Sequence, residues 1–288
     1  MPSPRSTASW ETDGVQLTKH HGLANDFLVV LDEVNGRGLK VDGALAIELC
    51  DRRRGIGADG LIHGEAPPTG ADVDVIMHLY NADGSRAEMS GNGIRCLGQA
   101  LTMAREVREV VLQVATDAGV RRLQVEASGD QRSSMVSVDM GPARTGPTIS
   151  AEVEARLGGG GPVHSASFAT ADMGNPHLVV AVDDPADVDL ATDGPWFEQR
   201  FPDGVNVEFI ALTEPDTLDL RVWERGAGIT EACGTGACAA VHLAHGWGLV
   251  GDRVRVDMPG GSAEVQLGDT ITLIGPSTHI ATIELPDA

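Results

Sequence analysis

Two segments of the chain carry side chains suited to moving a proton. Residues 86–96 read RAEMSGNGIRC, and residues 229–239 read ITEACGTGACA. In each, a small nucleophilic side chain, Ser90 or Cys233, precedes a Gly-X-Gly and a run of small, mostly apolar residues. Such a pattern opens a helix whose first backbone N–H groups are unobstructed. Those groups and the helix dipole attract an anion such as a carboxylate. The same field lowers a thiol pKa from about 8.5 to somewhere within about 3.5–7.5, so Cys233 is expected to be a thiolate near neutral pH. Ser90 is the weaker group. The dipole is worth about 0.3–2 kcal/mol, roughly one pKa unit, too little to ionise a hydroxyl at neutral pH. As a base Ser90 needs a neighbour to take its proton. As a proton donor to a carbanion it is less handicapped. Cys96 is no substitute. Six residues of helix turn it by about 240° net from the Ser90 direction, toward the core.

The elements that must hold these two groups repeat. Asn81 stands nine residues before Ser90, and Glu224 nine before Cys233, an offset of 143. Each follows an alternating stretch, VDVIMHLY or LDLRVW, that reads as a strand. The order in both copies is strand, loop, buried helix. GLANDFLVVLD at 22–32 echoes DMGNPHLVVAVD at 172–183, which sets Asn25 against Asn175 and Phe27 against His177. RGIGADGLI echoes FPDGVNVEFI and sets Gly60 opposite Asn206. Echoes in one order argue for duplication. The expected halves are 15–136 and 137–278, after a disordered tail at 1–14. The last strand-like stretch, THIATIELP, and with it the segment 279–288, returns to the first half. The Gly-rich region 150–167 reads as a surface loop.

Asn25, Asn81, Asn175 and Asn206 lie in loop-like contexts beside strands, with donors and acceptors suited to an ammonium and a carboxylate. Glu224 and Arg225 offer an acceptor for an amine beside a donor for a carboxylate. Singly each reads as a turn residue. Together, at repeating offsets, they read as the lining of one cleft between two halves. Two opposed acid/base groups across a cleft suit inversion of a stereocentre by proton transfer.

Composition narrows the alternatives. The chain has 288 residues, 42% of them hydrophobic and 22% charged, as in a globular protein of one or two domains. A net charge of −21 argues against nucleic acid and against an anionic membrane surface. The N-terminus lacks the apolar core of a secretory signal, and no apolar run spans a bilayer, so the expected location is cytoplasmic. The four cysteines lack zinc-site spacing, and no metal is expected. No dinucleotide fingerprint follows a strand. The lysines, Lys19 and Lys40, lie outside both motifs, which excludes the usual Schiff-base arrangement for pyridoxal chemistry. No cofactor is expected.

HGLANDFLVV, RRGIGADGL, YNADGSRAEMSGNGIRC, MGNPH, FPDGVNVEF and ERGAGITEACGTGACAA, in this order, resemble the diaminopimelate epimerase family. The resemblance runs from about residue 16 to the C-terminus. It implies an α/β (α+β) fold of two pseudo-symmetric domains, each a curved mixed sheet or barrel around a central helix. It also implies a cofactor-independent isomerase that interconverts LL- and meso-diaminopimelate, and a homodimer. Carried over by position, Cys233 matches the second catalytic cysteine, and Ser90 stands where the first belongs. His177 and Glu224 match groups that assist proton transfer. Asn25, Asn81, Asn175, Asn206, Glu224 and Arg225 match substrate-holding positions. The backbones of Gly91, Asn92, Gly234 and Thr235 match two carboxylate cradles. Gly60 departs from a glutamine found in some members. Ser90 leaves three readings open: a working two-base epimerase, an epimerase impaired on one side, or a one-base member resembling a hydroxyproline dehydratase.

Overall fold

The computed structural model describes residues 14–87, 89–129, 132–158 and 167–285. The first half contains β1 (Val15–Gly22), β2 (Asn25–Leu31), α1 (Asp32–Asn35), α2 (Gly43–Cys50), β3 (Gly60–Glu65), β4 (Val75–Asn81), β5 (Arg86–Ala87), α3 (Gly91–Ala104), β6 (Glu109–Thr116), β7 (Gly119–Ala127) and β8 (Ser133–Gly141). The second contains β9 (Arg144–Thr145), α4 (Ala151–Gly158), β10 (Ser167–Asp172), β11 (Pro176–Ala181), α5 (Leu190–Glu198), β12 (Asn206–Glu214), β13 (Thr217–Glu224), β14 (Gly228–Thr230), α6 (Gly234–Gly246), β15 (Arg253–Met258), β16 (Gly261–Gln266) and β17 (Ile271–Leu285).

Eight strands close a barrel. β1 pairs with β2, β2 with β3, β3 with β4, β4 with β6, β6 with β7, β7 with β8, β8 with β17, and β17 with β1. β2–β3 and β4–β6 are parallel, and the rest are antiparallel. A barrel interior needs apolar filling, and α3 supplies it. Residues 91–102 of α3 are all buried, as expected of a helix covered on every side. Ile94, Leu97 and Leu101 pack on inward side chains of the strands, among them Val29, Ile62, Met77, Leu112 and Val136. Each such side chain contributes about 1.5–3 kcal/mol when fully buried. β2 is buried on both faces, because its outward Leu28 and Val30 pack under α2 with Ala46 and Leu49.

The second half repeats the plan around α6, through β10, β11, β12, β13, β15, β16, β17 and β8. β9, just beyond β8, pairs with β10. The two rings share the β8–β17 ladder, and β17 runs on to pair Thr278–Leu285 with β1. Residues 136 and 278 therefore lie inside strands that serve both rings.

One sequence expectation is corrected. Residues 151–158 form α4, whose Val153 and Leu157 pack under α5 beside Phe197, so they are no surface loop. The two apolar residues four apart on one helix face outweigh the glycines that follow. The remainder of that stretch, 159–166, and the tail at 1–13 lie outside the described residues.

Candidate active site

Register aligns the two halves residue by residue. Phe27 stands opposite Gly60 on β2–β3, and His177 opposite Asn206 on β11–β12. Gly60 pairs with Asn81 on β3–β4, and Val207 pairs with Trp223, next to Glu224, on β12–β13. The pairs inferred from the sequence echoes are thus equivalent positions of two like barrels.

The central helices meet at their N-terminal tips. A Cβ added to Gly91 would stand 3.3 Å from Cα of Gly234, and one added to Gly234 would stand 3.2 Å from Cα of Gly91. Both would also press on Cδ2 of Leu273, at 3.0 and 2.9 Å. Only glycine permits this approach. Ser90 caps α3, its Oγ accepting from Gly93 N–H at 3.0 Å. Cys233 caps α6, its Sγ accepting from Gly236 N–H at 3.3 Å. In each first turn the next N–H bonds the cap carbonyl, from Ile94 to Ser90 and from Ala237 to Cys233. The N–H groups of Gly91, Asn92, Gly234 and Thr235 are left without intrahelical partners. Two positive helix ends and four such donors make a cradle for carboxylate.

Behind Cys233 the site is polar. Glu224 lies within hydrogen-bond reach of the thiol and accepts from the Thr230 hydroxyl. The Thr235 hydroxyl is 3.5 Å from Sγ and receives Asn175 Nδ2 at 3.3 Å. His177 is fully buried, with Nε2 at 3.0 Å from Asn175 Oδ1 and Nδ1 at 2.7 Å from Glu208 Oε1. Both ring nitrogens of His177 thus lie within hydrogen-bond reach of a side-chain oxygen. Among the described residues, Glu208 Oε2 is a buried oxygen with no hydrogen-bond partner from the protein.

The expected thiolate is corrected. Cys233 is 3% exposed, and burial, followed by the charges of Glu224 and Glu208, pushes its thiol well above the ordinary range. The Thr235 and Gly236 contacts act in the other direction and are outweighed. Burial also raises Glu224, against the opposing effect of Thr230 and Cys233. Both groups are thus biased by burial toward their protonated forms.

Behind Ser90 the equivalent positions are apolar. Phe27 replaces His177 and Ile62 replaces Glu208. A Cβ on Gly93 would meet Ile62 Cδ1 at 3.2 Å, where one on Gly236 would meet Glu208 Oε1 at 2.5 Å. Gly60 has no room for a side chain, since a Cβ there would stand 2.8 Å from the Tyr80 carbonyl oxygen.

The remaining sequence candidates divide by role. Asn92 donates to the Ala232 carbonyl at 3.1 Å and to Asn25 Oδ1 at 3.2 Å, which ties the two tips together. Asn25 donates in turn to Asp59 at 2.8 Å. Asn206 is a clamp, donating to the Pro176 carbonyl and accepting from Arg225 N–H, each at 2.9 Å. Asn81 and Arg225 are exposed; Asn81 holds Ser85, and the Arg225 guanidinium holds the Asp203 carbonyl. Two residues were missed by the sequence reading. Glu208 hides in the alternating run VNVEFI, where a charged residue reads as solvent-facing. Arg95, fully buried in α3, donates to Asn92 Oδ1 at 2.8 Å and to the Gly91 carbonyl at 3.0 Å, and so orients the tip. A charge in the middle of a small-residue helix was its only signal. Cys96, fully buried, has its thiol pushed up to about 12 by burial.

Twin barrels whose core helices meet tip to tip define a two-barrel fold shared with known structures. A hydroxyproline epimerase from Agrobacterium vitis, solved with bound trans-4-hydroxy-L-proline, has this fold, with a TM-score of 0.70 at 17% identity over 97% of this chain and 94% of that one. The sequence model of the diaminopimelate epimerase family matches residues 17–146 and 169–279. Diaminopimelate epimerase of Synechococcus elongatus is 38% identical over 280 residues, 92% of this chain and 96% of its own length. That of Corynebacterium glutamicum is 40% identical over 289 residues, 94% and 98% of the two chains. The chain belongs to the diaminopimelate epimerase family. Among the described residues no helix is long and apolar enough to cross a membrane.

Proposed function

We propose that the protein interconverts LL- and meso-2,6-diaminopimelate by two-base proton transfer, with Cys233 and Ser90 acting on opposite faces of one α-carbon. The observation that carries this reading is the contact between the tips of α3 and α6, with a proton carrier capping each. The substrate carboxylate sits against the free N–H groups of Gly91, Asn92, Gly234 and Thr235. As the α-proton leaves, charge grows on that carboxylate, and the fixed dipoles of the two helix ends stabilise it there. Cys233 passes its proton to Glu224, becomes thiolate, and removes the α-proton from one face. Ser90 delivers a proton to the other face, and the Gly93 N–H supports the oxygen as it gains charge. Regenerating Ser90 needs a proton from water, since Phe27 and Ile62 offer none. In the reverse direction Ser90 must act as a base, which is its poor role.

The apolar pair behind Ser90 favours one second reading, a one-base reaction in which Cys233 alone exchanges the proton. One experiment separates the two. Turnover of LL-diaminopimelate is measured without added cofactor, for the protein as it stands and for Ser90→Cys and Cys233→Ala. Net conversion that rises with Ser90→Cys and vanishes with Cys233→Ala supports the two-base reading. Activity surviving in Cys233→Ala would end it. Rapid α-proton exchange without conversion, in both the protein and Ser90→Cys, would favour the one-base reading.

A further inference from the structure

The outer face of the first barrel carries histidines that proton transfer at the helix tips does not use. His63 on β3 pairs directly across the ladder with His78 on β4, and Glu65 lies two residues along from His63 on the same face. Inward neighbours Ile62, Met77 and Leu79 point to α3, so the sheet itself separates this cluster from the candidate active site. One ligand atom from each of His63, Glu65 and His78 lies within 4.8 Å of the others. A cleft of about 410 Å³ opens on them, lined also by Asp32, Leu39 and Tyr80.

We propose that His63, Glu65 and His78 form a binding site for one divalent transition-metal cation of the zinc class. Three details of the hydrogen bonding support it. Asp32 Oδ1 holds His63 Nε2 at 2.8 Å, which puts the ring proton there and leaves a lone pair on Nδ1. Asp32 is itself buried and accepts from Ala66 N–H, so it does not turn away. A carboxylate that fixes the tautomer of a ligating histidine is the usual outer support of a metal site. His78 Nδ1 accepts from Arg86 at 2.9 Å, so its Nε2 faces Glu65 Oε2, 2.6 Å away, across a shared proton. A cation takes the place of that proton, which passes through solvent to Nδ1 as the Arg86 guanidinium, held separately by Asp117, gives up its contact there, and Nε2 and Oε2 both ligate the cation.

The fit requires adjustment on a plausible scale. Two ligands about 2.0–2.1 Å from a tetrahedral zinc stand about 3.3 Å apart, so the His78–Glu65 contact must open by roughly 0.7 Å while His63 closes in. Glu65 and His78 are only partly buried and can move. Two imidazoles and one carboxylate suit zinc, cobalt or nickel over magnesium or calcium, which take oxygen ligands. The fourth position faces the cleft and takes water. Nearby cations have partners of their own. Arg86 is paired twice with Asp117, Lys40 is paired with Asp42, and Arg37 donates to the Pro67 carbonyl.

The test titrates the full chain, stripped with chelator, with Zn(II) by calorimetry and with Co(II) by visible absorption. One equivalent of each is expected to bind, with the intense bands of four-coordinate cobalt. Glu65→Gln and His78→Ala should each weaken Zn(II) binding at least tenfold and remove the cobalt bands. Cys233→Ala should leave both unchanged. Near-ultraviolet circular dichroism checks that the variants keep the fold, and Glu65→Gln preserves shape should His78→Ala disturb it. The proposal is overturned by absence of binding, by binding undiminished in the Glu65→Gln/His78→Ala double variant, or by binding that requires Cys233.

Discussion

Beneath the two helix tips, equivalent strand positions hold Glu208 on one side and Ile62 on the other, and this difference decides what each cap can do. Glu208 holds His177 at 2.7 Å and lies under the tip that Cys233 caps. Glu208→Gln keeps shape but removes the carboxylate that holds His177. It is expected to lower kcat roughly tenfold or more with little change in KM, read from steady-state kinetics beside an unchanged circular dichroism spectrum. A merely structural role would move stability instead. Glu224 must be ionised to take the thiol proton, and its pKa is raised by burial. The acid limb of the kcat/KM profile should therefore lie above the ordinary glutamate range, and activity should fall as pH drops through it. Ser90 and Cys233 were legible because a cap residue before Gly-X-Gly has one local meaning. Glu208 was not, because residues 206–210 are all buried, so alternation along β12 marks no solvent side. The thiolate expected of Cys233 failed for a related reason. Helix-end arguments are local, while the burial and carboxylates that raise the thiol come from other strands.

α3 and α6 must start where they do for their tips to meet. Gly91→Ala or Gly234→Ala would drive a methyl against the opposing tip and Leu273, with a backbone neighbour at 3.2–3.3 Å. Each is expected to destabilise by about 1–3 kcal/mol, measured by denaturant unfolding, and to lower turnover by parting the caps. The glycines were read correctly as freeing N–H groups. Their second purpose was invisible, because the contact joins residues 143 positions apart. On β1, His20 is fully buried, bonded to Gln99 Oε1 at 3.0 Å, and its pKa is lowered by burial to about 4. The unfolded chain binds this proton below about 6.5 and the folded protein does not until about 4. Stability from His20 is therefore complete above that window and lost as pH falls through it. Between pH 7 and 5 the loss is about 2 kcal/mol. Thermal unfolding of His20→Gln should show a smaller decline over the same interval than the unaltered protein.

At the scale of the whole molecule, the two barrels are held in one register by the β8–β17 ladder and by the return of β17 to β1. Ending the chain after Ser277 removes the partner of β1 from Leu285 back to Thr278. The first barrel then opens at that seam. Loss of cooperative thermal unfolding and of activity together is expected, whereas a melt like that of the full chain would show the seam to be dispensable. Duplication was legible from echoes of Asn25 with Asn175 and Phe27 with His177. The return of the C-terminal stretch to the first half was legible as well, but the registers that close the barrel were not, since they join strands far apart in the chain. Two unequal proton carriers addressing one carbon are the centre of the proposed reaction. Its most direct test follows deuterium entry from D2O at the α-carbon, starting separately from LL- and meso-diaminopimelate, by proton NMR. Exchange from one isomer is expected to outrun net conversion, with Ser90→Cys closing the gap. Equal exchange from both isomers, unaltered by Ser90→Cys, would contradict it.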